Sequence, residues 1–252
     1  MRRNNLNWLS HLHATPPNAP LFYGPFAGDP VLYTEKILNG FDSWLGVGQI
    51  LTAPQLFEGQ WTREVYFPKS SPTDASLYFD LHTPYTTHKA GEWATVATPI
   101  EHSGLFAREG AVIPVGKDKV TVTALSGPAR TYTDGVDVVL ESDGGQVALD
   151  DWRGVLIFPG RERGKRYAGE WIEDDGISAE PGRYVVKVTY WFSESDSNVV
   201  EVKVEDKDEG FTPLWKGKGL HVVLPAGDKR SVKGGSKTTW MDREVWTVVV
   251  DA

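Results

Sequence analysis

The sequence predicts a mostly β fold, and two observations carry that prediction. From about Gly46 onward, β-branched and aromatic runs recur about every 8 to 12 residues between Gly, Pro, Asp and Ser turns, the rhythm of β-sandwiches. Along the chain Tyr184, Val186, Val188, Tyr190 and Phe192 alternate with Arg183, Lys187 and Thr189, and Val200, Val202 and Val204 with Glu201, Lys203 and Glu205. Period-two alternation gives each strand one apolar and one solvated face, which a helix would scramble. Between the two runs, Ser193 to Asn198 are all turn formers, so the pair is predicted to be an antiparallel hairpin.

Before that β region, Asp29-Pro30 predicts a helix start, an N-cap side chain followed by Pro at the first helical position. Val31, Leu38, Phe41 and Leu45 follow near helical spacing, which predicts one short helix interrupted near Gly40. Further strands are predicted at Val65–Phe67, Ser76–Leu81, Val120–Ala124, Val136–Leu140, Val155–Phe158, Leu220–Leu224 and Val245–Val250. No internal repeat of fixed period is seen, and the 16 Pro and 26 Gly are spread among turns rather than massed in a linker. A domain boundary is expected near Pro114.

Composition narrows the function. With 252 residues there is room for one large or two small domains, each with its own core. Hydrophobic residues at 40% and charged residues at 24% are ordinary for a globular chain, which excludes wholesale disorder, collagen-like repeats and coiled coil. The formal charge of -8, without a Lys/Arg stripe, argues against nucleic acid or an anionic membrane as partner. Without Cys there is no disulfide, thiolate metal site or cysteine nucleophile. No apolar run approaches a bilayer span, and Asn4, Asn5, Asn7, Ser10 and His11 interrupt any signal-peptide core after Arg2-Arg3, so a soluble chain without a secretion signal is expected, its compartment left open.

The residues that could carry chemistry are few. Asp150-Asp151 and Asp174-Asp175 are sequence neighbours; on strands they would point to opposite faces, and in turns they would cap backbone, so a turn before Gly176 is the reading preferred over catalysis. The run Glu205 to Gly210 has calcium-like oxygen density without the twelve-residue loop pattern, and reads as a solvated acidic hairpin tip. His11 and His13 lack further ligands, and His82, His88, His102 and His221 show no triad spacing. Gly234-Gly235-Ser236-Lys237 lacks P-loop spacing. No metal, cofactor or catalytic residue is expected. Among ten Trp, Trp44, Trp152, Trp171, Trp191 and Trp246 read as core, whereas Trp61 and Trp93, beside Gly and charged residues, are the candidates for exposure and for stacking on a sugar ring.

The segment Gly91 to Pro114, GEWATVATPIEHSGLFAREGAVIP, resembles the C-terminal region of glycoside hydrolase family 31, the α-glucosidase and α-xylosidase family. Phe106, Arg108, Gly110, Val112, Ile113 and Pro114 match its aromatic, Arg-x-Gly, apolar pair and Pro. In family order, Leu21-Phe22-Tyr23, Trp44-Leu45-Gly46 and Ile50 to Pro54 resemble the exit from the last barrel strand, Glu64 to Pro68 the next strand, and Glu173-Asp174-Asp175-Gly176 an acidic turn of the distal sandwich. The resemblance implies two antiparallel β-sandwich domains preceded by a short remnant of a (β/α)8 barrel end: residues 1–45 the remnant, 46–113 the proximal sandwich and 114–252 the distal one.

It also implies where catalysis is not. The family's nucleophile and acid/base Asp belong to the barrel, in Trp-x-Asp-x-Asn-Glu-like and Gly-Asp-Asn-like motifs, and neither motif occurs in this sequence. A barrel alone takes about 250 residues, and retaining hydrolysis needs carboxyl groups about 5 to 5.5 Å apart on a rigid scaffold. The expectation is a C-terminal accessory region of a retaining α-glycosidase, non-catalytic alone, partnered by a catalytic barrel in cis or in trans. The alternative is a free-standing carbohydrate-binding module with Trp61 or Trp93 as platform, or a subunit of a split glycosidase. An apolar patch is expected where the barrel would pack.

Overall fold

The computed structural model describes residues 26, 28–34, 43–45, 49–54, 57–82, 86–98, 104–116, 130–133, 136–139, 152–174, 182–240 and 243–248. The predicted strands Val120–Ala124 and the residues Leu38, Phe41, His11, His13, His102, Asp150, Asp151 and Asp175 lie outside them.

The predicted helix start is realised as a 3₁₀ turn, and residues 35–42 lie outside the described residues. Asp29 accepts a hydrogen bond from the Val31 amide (3.1 Å) at the head of a 3₁₀ turn, Pro30–Tyr33. Thr34 is already extended (φ -76°, ψ 150°), which ends the turn. Leu45, expected on the same helix, lies instead in strand β1 (Ser43–Leu45), hydrogen-bonded into a sheet.

Strands then follow one another: β2 (Ile50–Ala53), β3 (Thr62–Phe67), β4 (Leu77–Asp80), β5 (Thr87–Lys89), β6 (Glu92–Ala97) and β7 (Gly104–Arg108). These build a proximal unit in which the sheet β1-β2-β7-β4-β5 and the ribbon β3-β6 enclose one core. Leu51 and Ala53 of β2, Tyr78 of β4 and Phe106 of β7 pack with Val65 and Phe67 of β3 and Val96 of β6. Phe26 and Leu32 bring the 3₁₀ turn into the same cluster.

The distal unit contains β8 (Val112–Val115), β9 (Arg130–Thr133), β10 (Val136–Val139), β11 (Arg153–Ile157), β12 (Arg166–Glu173), β13 (Arg183–Phe192), β14 (Val199–Glu209), β15 (Leu220–Val223), β16 (Ser231–Val232), β17 (Ser236–Trp240) and β18 (Arg243–Val248). Sheet β17-β18-β15-β11-β8 faces sheet β12-β13-β14-β16, and β9 and β10 pair only with each other. The two facing sheets share a core of Val155, Ile157, Trp171, Tyr184, Val186, Val188, Tyr190, Trp215 and Val222. Pairings are antiparallel except β11 with β15 and β14 with β16, which are parallel.

The predicted hairpin is β13-β14, with Tyr184, Val186, Val188 and Tyr190 buried and Arg183 and Lys187 exposed. Glu205 to Glu209, expected as its solvated tip, are instead the second half of β14, paired along Arg183–Lys187. The reason is period-two charge compensation on the exposed face: Lys203 pairs with Glu205 (2.8 Å) and Lys207 with Glu209 (2.5 Å).

The handover between units falls at Glu109-Gly110, so the expected division at 113/114 lies inside β8, and that at 45/46 just after β1, a strand of the proximal sheet. Pro114 is paired with Val155 in β8, an edge strand where a missing amide costs no ladder bond. A third apolar cluster spans the handover: Ile50, Phe79 and Ala107 of the proximal unit pack with Ala111, Ile113 and Phe158.

Candidate functional site

Trp61 and Trp93 are both exposed, at 63% and 38%, as their sequence neighbours suggested. They do not form one platform. Tyr66 is paired with Trp93, and the Thr98 amide donates to the Trp61 carbonyl (2.8 Å) at the other end of the β3-β6 ribbon. Five positions separate those ends, so the two indoles lie roughly 16 Å apart along the strand and on opposite faces. Trp93 leans on Tyr66 (5.4 Å between centroids), whose hydroxyl donates to buried Asp29 (2.8 Å). Phe57 and Tyr33 are also exposed, so the large exposed aromatics described all belong to the proximal unit or the turn before it.

Of the Trp expected in the core, Trp171 is fully buried. Trp152, Trp191 and Trp246 are half-buried: Trp152 stacks on His221 (4.7 Å), Arg166 lies over Trp191 (4.1 Å) and Lys237 over Trp246 (5.2 Å). The side chain of Trp44 lies outside the described residues. Trp215, which sequence reasoning did not single out, is fully buried.

Of the expected acidic turn Glu173-Asp174-Asp175-Gly176, Asp175 and Gly176 lie outside the described residues, and Glu173 is a strand residue. It closes β12 inside the distal core, where Arg153 meets it twice (Nε–Oε1 2.5 Å, Nη2–Oε2 2.8 Å). The indole nitrogens of Trp171 (2.9 Å) and Trp215 (3.0 Å) each donate to one of its oxygens. Four donors satisfy the carboxylate, the condition under which a buried charge is tolerated. It is a structural group, with no access for a substrate.

The remaining acidic run is also engaged. Tyr184 Oη donates to Asp206 Oδ2, and Asp208 accepts from Thr212 (2.7 Å) and the Gly210 amide (2.9 Å). Among the described residues no group of three His, Asp or Glu is placed to hold a metal ion. Gly234-Gly235 lies in the tight turn between β16 and β17, Gly234 with φ +72°, and Lys237 pairs with Glu244 (3.1 Å).

Among the described residues, a groove of about 1260 Å³ lies between the two sandwiches. Its floor is the Arg108-Glu109-Gly110 turn. Arg108 Nη2 donates to Asp74 (2.7 Å) and Ser70 (3.1 Å) and the guanidinium lies over Phe26 (5.2 Å), pinning the loop before β4. Burial alone would raise the Asp74 carboxyl, but hydrogen bonds from Ser70 and Ser76 outweigh it and hold the group well below the usual carboxylate range. Glu109 reaches the other way: it accepts from Tyr167 Oη and Lys165 Nζ (3.4 Å) of the distal unit and from the Leu77 amide (3.2 Å) of the proximal one. Gly110 has φ +92°, and a Cβ there would meet the Tyr167 ring at 2.6 Å, so the position accepts only glycine without strain. The Arg-x-Gly element thus has a physical meaning: one side chain for each unit, and a bare backbone where they touch.

Fold and groove define a two-sandwich, all-β protein whose units are joined by a charged turn. Residues 15–113 match the model of the glycosyl hydrolase family 31 C-terminal domain. No curated protein matches the chain. Among solved structures, the family 31 α-xylosidase from Xanthomonas citri is similar at 19% identity, covering 81% of this chain and 18% of that one, with a TM-score of 0.52. A family 31 dextranase from Flavobacterium johnsoniae is similar at 23% identity over 73% of this chain and 19% of that one, with a TM-score of 0.49. A glucosidase II alpha subunit follows at 15% identity over 88% and 21%, with a TM-score of 0.45. At such identities the likeness to the xylosidase is one of fold. This chain spans about a fifth of the length of the structures it matches.

Proposed function

We propose that this chain is the C-terminal accessory β-sandwich region of a family 31 retaining α-glycosidase, serving a catalytic (β/α)8 barrel in cis or in trans and non-catalytic by itself. The observation that carries the reading is the match of residues 15–113 to the family's C-terminal domain. The exposed aromatics Tyr33, Phe57, Trp61 and Trp93 support it, because all of them lie in the matched unit and leave apolar surface there for a barrel to cover, even though Trp61 and Trp93 lie on opposite faces of their ribbon. Hydrolysis of α-glycosidic bonds, of the glucoside or xyloside type, is then the activity of the assembled enzyme. The barrel-borne Asp motifs that such chemistry uses are not in this sequence.

The test is co-purification of the tagged chain from its source, with mass spectrometric identification of what accompanies or extends it, and assay of p-nitrophenyl α-glucoside and α-xyloside. A family 31 barrel in the same polypeptide or complex, with activity only in its presence, is expected. Turnover by the purified chain, abolished by changing one of its own carboxylates, would overturn the reading. A second reading, a carbohydrate-binding module, is favoured by the 63% exposure of Trp61, and predicts saccharide binding that Trp61→Ala removes.

A further inference from the structure

We infer that the outer edge of β12 takes an added strand, an extended acidic segment of a partner polypeptide laid into the groove between the two sandwiches. The inference goes beyond the accessory role proposed above and does not rest on it.

β12 is the last strand of its sheet, bonded to β13 on one side and to no described strand on the other. An antiparallel strand spends the N–H and C=O of every second residue on its neighbour, so the alternate residues of β12 aim theirs outward from the sheet. Other edges of the described sheets are blunted: β1 and β5 have three residues, β16 two, and β8 four with Pro114 among them. β12 has eight, in unbroken register from Arg166 opposite Trp191 to Glu173 opposite Tyr184, with neither proline nor bulge. Among the described residues it is the longest edge strand.

The groove runs along that edge. Six consecutive residues, Lys165 to Glu170, line it. Successive side chains of a strand point to opposite faces, so a cleft that meets all six follows the edge, where both faces end. Beneath, β12 is closed off by the other layer: a Cβ on Gly169 would meet Val112 at 2.6 Å, and one on Gly110 the Tyr167 ring. The opposite wall is the Ser70–Leu77 loop, itself held by Arg108 and Glu109. Both walls are thus preformed, which spares an incoming peptide the cost of ordering its receptor.

Charge chooses the segment. Six Lys or Arg and four Asp or Glu line the groove, two positive charges in excess on a chain of formal charge -8. Asp74 is already saturated by Ser70, Ser76 and Arg108, and Glu109 by Leu77, Lys165 and Tyr167. Exposed cations remain at Arg161, Arg166 and Lys187, against Glu170, which stands opposite Lys187 in the β12-β13 register. Arg166 lies over the Trp191 ring (4.1 Å), so its charge is presented at a fixed place beside the edge. In an added antiparallel strand the residue opposite Arg166 gains from a carboxylate and loses from a cation. A small anion would answer the cations and leave the row of backbone groups unanswered, whereas an acidic strand answers both. Main-chain bonds then supply affinity, and the alternate side chains supply specificity.

The probe is a fluorescein-labelled hexapeptide, Glu-Val-Asp-Val-Thr-Val, titrated into the full chain and followed by anisotropy. Saturable binding with a dissociation constant of about 0.1 mM or tighter is expected. A version with Lys in place of Glu and Asp should bind about tenfold or more weakly. One N-methylated throughout, which keeps every charge and deletes the ladder donors, should not bind. Amide hydrogen exchange of Arg166–Glu173 should slow with the acidic peptide, while that of the edge strand β17 stays unchanged. Arg166→Glu with Lys187→Glu should weaken binding about tenfold, with circular dichroism and melting matching the parent. No saturable binding, equal binding of the Lys or the N-methylated peptide, an affinity unchanged by the double reversal in a folded variant, or protection of β17 in place of β12 overturns the inference. So does sedimentation showing a dimer whose β12 is protected without peptide, since a second copy would then be the occupant. The co-purification result bears on none of these outcomes.

Discussion

Arg153 and Glu173 form a bidentate ion pair in the distal core, closed on its far side by the indoles of Trp171 and Trp215. The pair joins β11 of one sheet to β12 of the other, so a single polar cluster bridges the two layers of the sandwich. Removing one partner leaves an uncompensated charge or unpaired indoles in a dry interior. Glu173→Ala or Arg153→Ala is therefore expected to cost about 3–5 kcal/mol in urea unfolding. A change below about 1 kcal/mol would show that water reaches the pair.

Gly110 predicts a second loss with a different origin. Its positive φ and the Tyr167 ring at its back combine backbone strain with a clash, so Gly110→Ala is expected to destabilise by about 1–3 kcal/mol. Unfolding followed by Trp fluorescence measures it, and an unchanged denaturation midpoint would contradict the geometry.

The tryptophans divide sharply. Trp171→Ala or Trp215→Ala empties a fully buried site and removes a donor to Glu173, an expected cost of about 3–5 kcal/mol. Trp61→Ala removes an exposed ring and should stay within about 0.5 kcal/mol of the parent. If Trp61→Ala instead weakens association with a barrel while leaving the isolated chain intact, the ring belongs to the docking face.

Alkaline titration reads the buried phenols. Burial first, and then Asp29 beside Tyr66, Glu109 beside Tyr167 and Asp206 beside Tyr184, push these hydroxyls above their ordinary value of 10.0. Since the folded state favours the neutral phenol, the stability it contributes is present below pH 10 and lost as pH rises through the higher folded value. Ultraviolet difference absorbance should show these phenolates appearing only together with loss of β-sheet circular dichroism. Reversible ionisation of all tyrosines near pH 10 without unfolding would count against it.

His88 works on the acid side. Its ring stacks on Phe67 (4.4 Å, 8°) and meets Phe106 edge-on, and burial lowers its pKa despite the opposing pull of Asp80 and Glu92. A lowered folded value contributes stability that is present above the unfolded 6.5 and lost as pH falls through the folded value. His88→Phe should flatten that part of the stability-pH curve, as thermal melts from about pH 7.5 to 5 would show. An identical slope in the variant would assign the acid loss elsewhere.

How much of this was legible depended on how local each signal is. The β13-β14 hairpin could be read because Tyr184 to Phe192 alternate within one strand, and Asp29-Pro30 could be read because a cap and its turn are neighbours. Leu45 reads as helical because it falls near helical spacing after Asp29-Pro30, while its pairing with Ile50 is set by the sheet. Glu205 to Glu209 read as a tip because acids suggest turns, yet the signal for a strand was present in the alternation of Lys203, Glu205, Lys207 and Glu209. Glu173 gave no such hint: its partners Arg153 and Trp215 come from distant segments, and only the closed sandwich brings them together. The groove is illegible for the same reason, since Asp74, Glu109 and Tyr167 meet only across two units.

The parallel pairing of β11 with β15 also orders events in time. The β13-β14 hairpin closes across the short turn Ser193–Asn198, so it can form as soon as its own residues exist. Arg153 must wait for Leu220, and Leu220 in turn is flanked by Val248 of β18. Long loop closures are slow because their entropy is lost before their contacts form. On a ribosome the matched proximal domain can therefore collapse while the distal one is still open, and β11, once paired with β8, stands as an open edge until Leu220–Val223 emerge.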